Sequence, residues 1–229
     1  MKMNIPEQCE NLFIDVGLAI DAPNAATWLY RDRKSFVIGV EPNPENIAVL
    51  RKGRSPDFHL PYLCLDDDCV LLKGESVCKI ENRFHLIQCA IDDVDSPTTA
   101  PFYMLDVKQV YETPVNSLKQ VLDEFYESTS QFSYITALKS DAQGKDLDVI
   151  KSARDYLGKI LFVKMEVRTN GQYENEQKVS DIEEFMKKNK FNLYHDSHYD
   201  HVYINYSLLE KIDGDIDLNN LRDIIFSVV

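Results

Sequence analysis

Four carboxylates in this chain stand where apolar runs stop. Leu12-Phe13-Ile14 leads into Asp15-Val16-Gly17, and Val37-Ile38-Gly39-Val40 leads into Glu41-Pro42-Asn43. The runs Tyr134 to Lys139 and Ile160 to Met165 lead to Ser140-Asp141 and to Glu166. Glycine at 17 lets the backbone turn sharply and come close to a bound molecule. Glu41 can accept hydrogen bonds from both hydroxyls of a ribose. Asp141 can take a proton from a hydroxyl nucleophile or orient it, which is general-base chemistry; it can equally cap a helix ahead of Gly144. A separate cluster, His195-Asp196-Ser197-His198-Tyr199-Asp200-His201, offers imidazoles that titrate near neutrality. His195 and His198, with Glu166, are acceptor-side candidates, although a polar hairpin tip reads the same way.

Asp15, Gly17, Glu41, Pro42 and Asn43 together suggest an adenosine-containing cofactor. The dinucleotide fingerprint G-x-G-x-x-G is absent, because Leu18, Ala19, Ile20, Asp21 and Ala22 follow Gly17. One glycine and a carboxylate at Asp21 suit a pyrophosphate poorly, so a cofactor with adenosine and no phosphates fits better. S-adenosylmethionine is the common one, and four carboxylates on one rim suit its sulfonium cation. The plainer reading, a strand-ending glycine and a helix-leading glutamate, stays open.

The elements that must position these residues follow from local signals. The first two runs have strand length, and the segment between them is helical, with Pro23 in a first turn capped by Asp21 or Ala22. That is a βαβ unit whose strand ends face one crevice. A second helix has Asn43 as cap, Pro44 first, Glu45 near the positive end of the dipole, and Ile47 and Leu50 on its buried face. Phe84 to Ile91 reads as one strand covered on both faces. Thr113-Pro114 is expected to open a helix carrying Val115, Leu118, Leu122 and Phe125. A further helix should run from Lys145 to Leu157 and stop at Gly158. Ser180 and Glu183 should form a capping box, and Asn189 should close that helix. Phe191 to Tyr194 and His201 to Tyr206 should pair as an edge hairpin. A final helix over about 218–229 carries Leu221, Ile224, Ile225 and Val228 on one stripe, to be covered by this domain or by a second subunit in a homodimer.

Residues 53–82 lose periodicity and read as an inserted loop with a hairpin. Residues 168–177 read as a loop over the rim. The cysteines Cys64, Cys69 and Cys78 have no C-x-x-C pair, the triplet Asp66-Asp67-Asp68 points its side chains to different faces, and Asp213-Gly214-Asp215 lacks the later ligands of a calcium loop. No metal is expected.

With 229 residues, 44% of them hydrophobic, the chain can bury the core of one domain spanning 1–229. A net charge of -13 disfavours nucleic acid or an anionic membrane as partner, leaving a small-molecule or glycan acceptor. An odd cysteine count of five and no apolar signal core near the start point to a reducing, cytoplasmic setting.

The ordered motifs Phe13-Ile14-Asp15-Val16-Gly17, Val40-Glu41-Pro42-Asn43-Pro44-Glu45-Asn46 and Ala137-Leu138-Lys139-Ser140-Asp141-Ala142-Gln143-Gly144 resemble those of the FkbM family of S-adenosylmethionine-dependent methyltransferases. That family's pattern is close to D-V-G-A-N-x-G, V-E-P-N-P and L-K-x-D-x-E-G. The resemblance implies an α/β, doubly wound, mostly parallel sheet of the Rossmann-like methyltransferase type, here with an antiparallel edge hairpin. It also implies methyl transfer, usually to an oxygen of a small molecule or sugar, and residues flanking the adenine at Cys89, Ala90, Ile91 and Asp92. Leu18, Ala19 and Asp21 depart from the first motif and Gln143 from the third. These departures favour an alternative, a degenerate member that keeps the fold as a non-catalytic interaction module.

Overall fold

A computed structural model describes residues 2–52, 61–65, 70–73, 76–104, 107–167, 177–197, 199–212 and 218–226. The first two carboxylate-ended runs become β1 (Asn11–Val16) and β2 (Ser35–Val40), joined by helix α1 (Pro23–Arg31). They pair in parallel with Asp15 beside Gly39 and Val16 beside Val40, so both chains reach the same rim together. The cap of α1 differs from expectation. Ala22 is the cap residue, in a left-handed conformation with no side-chain bond. The Asp15 carboxylate reaches across from β1 and accepts from the Ala25 amide at 3.0 Å instead, satisfying a helix-end donor from outside the helix. Helix α2 (Pro44–Lys52) starts as its signals predict, with Asn43 accepting from the Glu45 amide and with Ile47 and Leu50 buried.

The inserted region holds more than a hairpin. β3 (Tyr62–Cys64), β4 (Val70–Lys73) and β5 (Ser76–Lys79) pair successively as an antiparallel meander. The expected single strand over Phe84 to Ile91 is divided. β6 (Phe84–Ile87) pairs with β2 as the last strand of the main sheet and is half-buried rather than covered on both faces, because it has only one neighbour there. The chain then leaves that sheet, and β7 (Ala90–Ile91) joins a second one with β8 (Thr98–Met104) and β9 (Val107–Asn116). Pro114, expected in a helix, lies in β9 opposite Thr99. Proline's fixed φ suits an extended segment as well as a first helical turn, and the Ser117–Gln120 capping box starts the helix later, as α3 (Leu118–Glu124).

After α4 (Tyr126–Thr129) comes β10 (Ile135–Ser140), whose end delivers Asp141. The expected helix from Lys145 breaks into α5 (Asp146–Lys151) and a 3-10 helix (Arg154–Lys159). Arg154 has φ +49°, which interrupts the helical run, and Gly158 sits inside the 3-10 turn rather than ending a helix. β11 (Ile160–Glu166) follows, then α6 (Val179–Lys188), which begins with Lys178 at its cap and no side-chain bond, so Ser180 lies within the helix and its box with Glu183 does not form. Asn189 closes α6. β12 (Phe191–Asp196), β13 (Asp200–Asn205), α7 (Tyr206–Leu209) and α8 (Leu218–Phe226) complete the order.

The main sheet is β12-β13-β11-β10-β1-β2-β6, parallel from β11 to β6, with β13 antiparallel to both its neighbours. Alternating side chains cover it with helices on both faces. Ile14, Leu138, Val163 and Tyr203 meet α3, α5 and α6, whereas Phe13, Ala137, Phe162 and Ile204 meet α1 and α8. Trp28 of α1 is fully buried and stacks on Phe13 with centroids 4.8 Å apart; each such side chain contributes roughly 1.5–3 kcal/mol. Leu221, Ile224 and Ile225 of α8 are buried in the same cluster, so this chain's own domain covers that stripe; Val228 lies outside the described residues.

Candidate functional site

The carboxyl ends of β1, β2 and β10 are stitched into one platform. The Gly17 amide donates to the Val40 carbonyl at 2.9 Å, and the Asp141 amide to the Val16 carbonyl at 3.0 Å. Gly17 has φ +80°, and a Cβ there would lie 2.2 Å from the Asp141 carbonyl oxygen, so no other residue fits this crossing. Beneath the turn, Lys139 is buried with its ammonium 3.1 Å from Asp15 Oδ1 and 2.6 Å from the Gly17 carbonyl. Burial pushes the Asp15 carboxyl up, opposed by Lys139. Burial disfavours the Lys139 charge too, but Asp15 and Asp141 outweigh it and hold the ammonium above its ordinary value. Asp15 is fully buried and does not line the cavity above; it ties α1 to β10 from below.

That cavity measures about 320 Å³, inside the usual range for small-molecule sites. Val16, Gly17 and Ala19 form one side, with Glu41, Pro42 and Asn46 beside them. Cys89, Ala90, Ile91 and Asp92 form the next wall, and Asp141, Ala142, Gln143 and Lys145 the far end. Ala100, Phe102 and Val115 of β8 and β9 continue that wall, in the same sheet as Ala90 and Ile91. Eight of the residues nominated from sequence therefore meet around one space: Gly17, Glu41, Pro42, Cys89, Ala90, Ile91, Asp92 and Asp141. Asn43 sits behind them, with its side chain on the α2 cap.

Glu41 is only 3% exposed. Its Oε1 accepts from the Asn43 amide at 2.9 Å and the Asn46 side chain at 3.2 Å, and its Oε2 from the Ala19 amide at 3.0 Å. A carboxylate offers about four acceptor sites, so one on Oε2 is left for a ligand. Burial pushes this carboxyl up, against those three donors. Asp92 faces Lys145 at 3.3 Å across the cavity mouth. Burial pushes the Cys89 thiol up to about 11, leaving it protonated and apolar.

Asp141 is positioned by a residue that sequence reasoning missed. Asp146, at the start of α5, is buried; its Oδ1 accepts from Ser140 Oγ at 2.7 Å and the Ala142 amide at 2.9 Å, and its Oδ2 from the Gly144 amide at 3.3 Å. This clamp forces the tight turn in which Gln143 has φ +50° and Gly144 φ +95°. The only hint was an acid just beyond Gly144. The Asp141 side chain is 45% exposed and 3.9 Å from Lys139, free to meet a ligand.

Residues 15–193 match the family model described as the methyltransferase FkbM domain. The chain belongs to the FkbM methyltransferase family. A comparison with curated proteins found no match. In FkbM terms, the family's asparagine in the first motif is Ala19 here, held at φ +59°, a backbone region that asparagine tolerates and alanine does not favour. Gln143 replaces the family glutamate at another left-handed position and lines the cavity with an uncharged amide.

The remaining nominated residues lie elsewhere. Glu166 ends β11 opposite Asp200 and does not line the cavity. His195 is exposed on the outermost strand. A bulge between Leu193 and His195 places His195 opposite Val202 and Asp196 opposite His201, because one extra residue switches every later side chain to the other face. Asp196 accordingly contacts His201 Nε2 at 3.2 Å, and the Tyr203 hydroxyl meets His201 Nδ1 at 3.2 Å. His198 and most of the loop 168–177 lie outside the described residues. No cluster among the described residues has the makings of a metal site, and no helix among them is long and apolar enough to cross a membrane.

Proposed function

We propose that this FkbM-family chain uses S-adenosylmethionine to methylate a hydroxyl of a small molecule or sugar. The observation that carries the reading is the convergence of Gly17, Glu41 and Asp141, from three neighbouring strand ends, on one cavity. The sheet order supports a doubly wound Rossmann-like methyltransferase fold, and the reading takes 1–229 as one domain.

The residues present fit the cofactor. Gly17 gives close backbone approach, the open acceptor site on Glu41 suits a ribose hydroxyl, and Cys89, Ala90, Ile91 and Asp92 offer an apolar wall ending in an acid for the adenine. Bound there, the cofactor supplies a methyl group on a cationic sulfur. What the protein adds is alignment of an acceptor oxygen for in-line displacement and a place for its proton. Asp141 would fill the second role, its carboxylate taking the proton that the acceptor hydroxyl gives up. Glu166, His195 and His198 are assigned no step. The odd count of five cysteines supports a reducing, cytoplasmic setting as part of this reading.

A second reading, a degenerate interaction module, draws on the three internal donors already on Glu41 and the strained Ala19. Melting the protein with S-adenosylhomocysteine, and with a dinucleotide as control, separates the two. A ligand at a hundred times its dissociation constant adds about 2.7 kcal/mol, a shift of a few degrees. A shift specific to the homocysteine compound is expected; none at millimolar ligand favours the module.

A further inference from the structure

One rung of the β8–β9 hairpin joins two contacts that sequence motifs did not mark. Phe102 and Tyr111 are cross-strand partners. Phe102 lines the cavity with Ala100 and Val115, on the same three-stranded sheet as Ala90 and Ile91. Tyr111 donates its hydroxyl hydrogen to Glu45 Oε1 at 2.7 Å. Glu45 lies in the first turn of α2, between Pro42 and Asn46, which both line the same cavity. The hairpin is therefore moored to the helix that follows the ribose-type acid, and the mooring residue shares its rung with the only aromatic ring among the described residues of the cavity lining.

We infer that this hairpin is the base-holding wall of the site, with Phe102 packing against the flat face of a purine nucleoside and the Tyr111–Glu45 bond holding the wall in place. The inference rests on the cofactor reading above and deepens it. A nucleoside needs a hydroxyl acceptor at one end and an apolar surface for its base at the other. Glu41 supplies the first, and one face of the β7-β9-β8 sheet, carrying Ala90, Val115, Ala100 and Phe102, supplies the second. An aromatic ring adds base stacking that an aliphatic side chain of similar bulk lacks.

Titration calorimetry with S-adenosylhomocysteine, on the full chain as wild type, Phe102→Leu, Phe102→Trp and Tyr111→Phe, tests this. Leucine keeps apolar bulk on the hairpin, and the melting temperature of each unliganded variant checks folding. Phe102→Leu is expected to weaken binding about tenfold, Phe102→Trp to keep it near the wild-type value, and Tyr111→Phe to speed ligand release several-fold in a stopped-flow chase. Equal affinity of wild type and Phe102→Leu would overturn the wall assignment and leave the cofactor reading standing. Unchanged release from Tyr111→Phe would overturn the mooring. A wild-type protein that binds no S-adenosylhomocysteine would overturn the cofactor reading and this inference together.

Discussion

Lys139 places its ammonium 3.1 Å from Asp15 Oδ1, in a row where the two residues face each other across β1 and β10. Both are buried, and the same ammonium holds the carbonyl of Gly17. The pair thus links the floor of the cavity to the start of α1, which hangs from the other oxygen of Asp15. Removing one partner strands a charge in the core. Lys139→Met should cost about 3–5 kcal/mol, and adding Asp15→Asn should recover part of it. Urea denaturation of both single variants and the double variant checks this; a double loss equal to the sum of the single losses would show that the two residues do not act as a pair.

Gly17 and Ala19 should respond in opposite directions. Gly17→Ala drives a Cβ into the Asp141 carbonyl and is expected to destabilise the fold and abolish any ligand-dependent rise in melting temperature. Ala19 is exposed at φ +59°, so Ala19→Asn should stabilise by about 0.5–1 kcal/mol by relieving left-handed strain. A destabilised Ala19→Asn protein would contradict the strain argument.

Glu41 ties stability to pH. Its folded carboxyl is held above the ordinary value of 4.5 by burial. The folded state therefore binds this proton more tightly than the unfolded chain. The stability that Glu41 contributes is fully present below its unfolded value and is lost as pH rises through the raised one. Glu41→Gln should flatten that part of the stability-against-pH curve above 4.5, as read by denaturant midpoints at a series of pH values. A curve with unchanged slope would exclude Glu41 as its source.

Tyr203 is 2% exposed, and burial pushes its hydroxyl up to about 12; that hydroxyl meets His201 Nδ1 at 3.2 Å. His201→Ala should cost about 1–3 kcal/mol through the stranded hydroxyl alone, beyond any packing loss. Tyr203→Phe should be milder, and in the His201→Ala background milder still. Additive losses in this thermodynamic cycle would mean that the two rings are not coupled.

Asp141→Asn should lower turnover far more than it weakens cofactor binding, whereas Glu41→Ala should do the reverse. Steady-state kinetics paired with calorimetry measure both, and equal effects would reverse the assignment of roles.

The strands ending at Asp15, Glu41, Asp141 and Glu166, and the helix starting at Pro44, were legible because their signals lie within a few residues. Apolar runs, a glycine at a turn and a cap before proline act locally, and the chain obeys them. Tertiary pairing decided the rest. Pro114 entered a strand because β8 was there to pair with it, and Phe84 to Ile91 split because two sheets competed for one segment. Asp15 turned from a ligand candidate into a buried anchor through Lys139, far away in sequence. A bulge separated His195 from His201, and a long-range hairpin carried Phe102 to the cavity wall. Periodicity tells which face a residue takes within its own strand or helix; only the register between distant strands sets what that face meets.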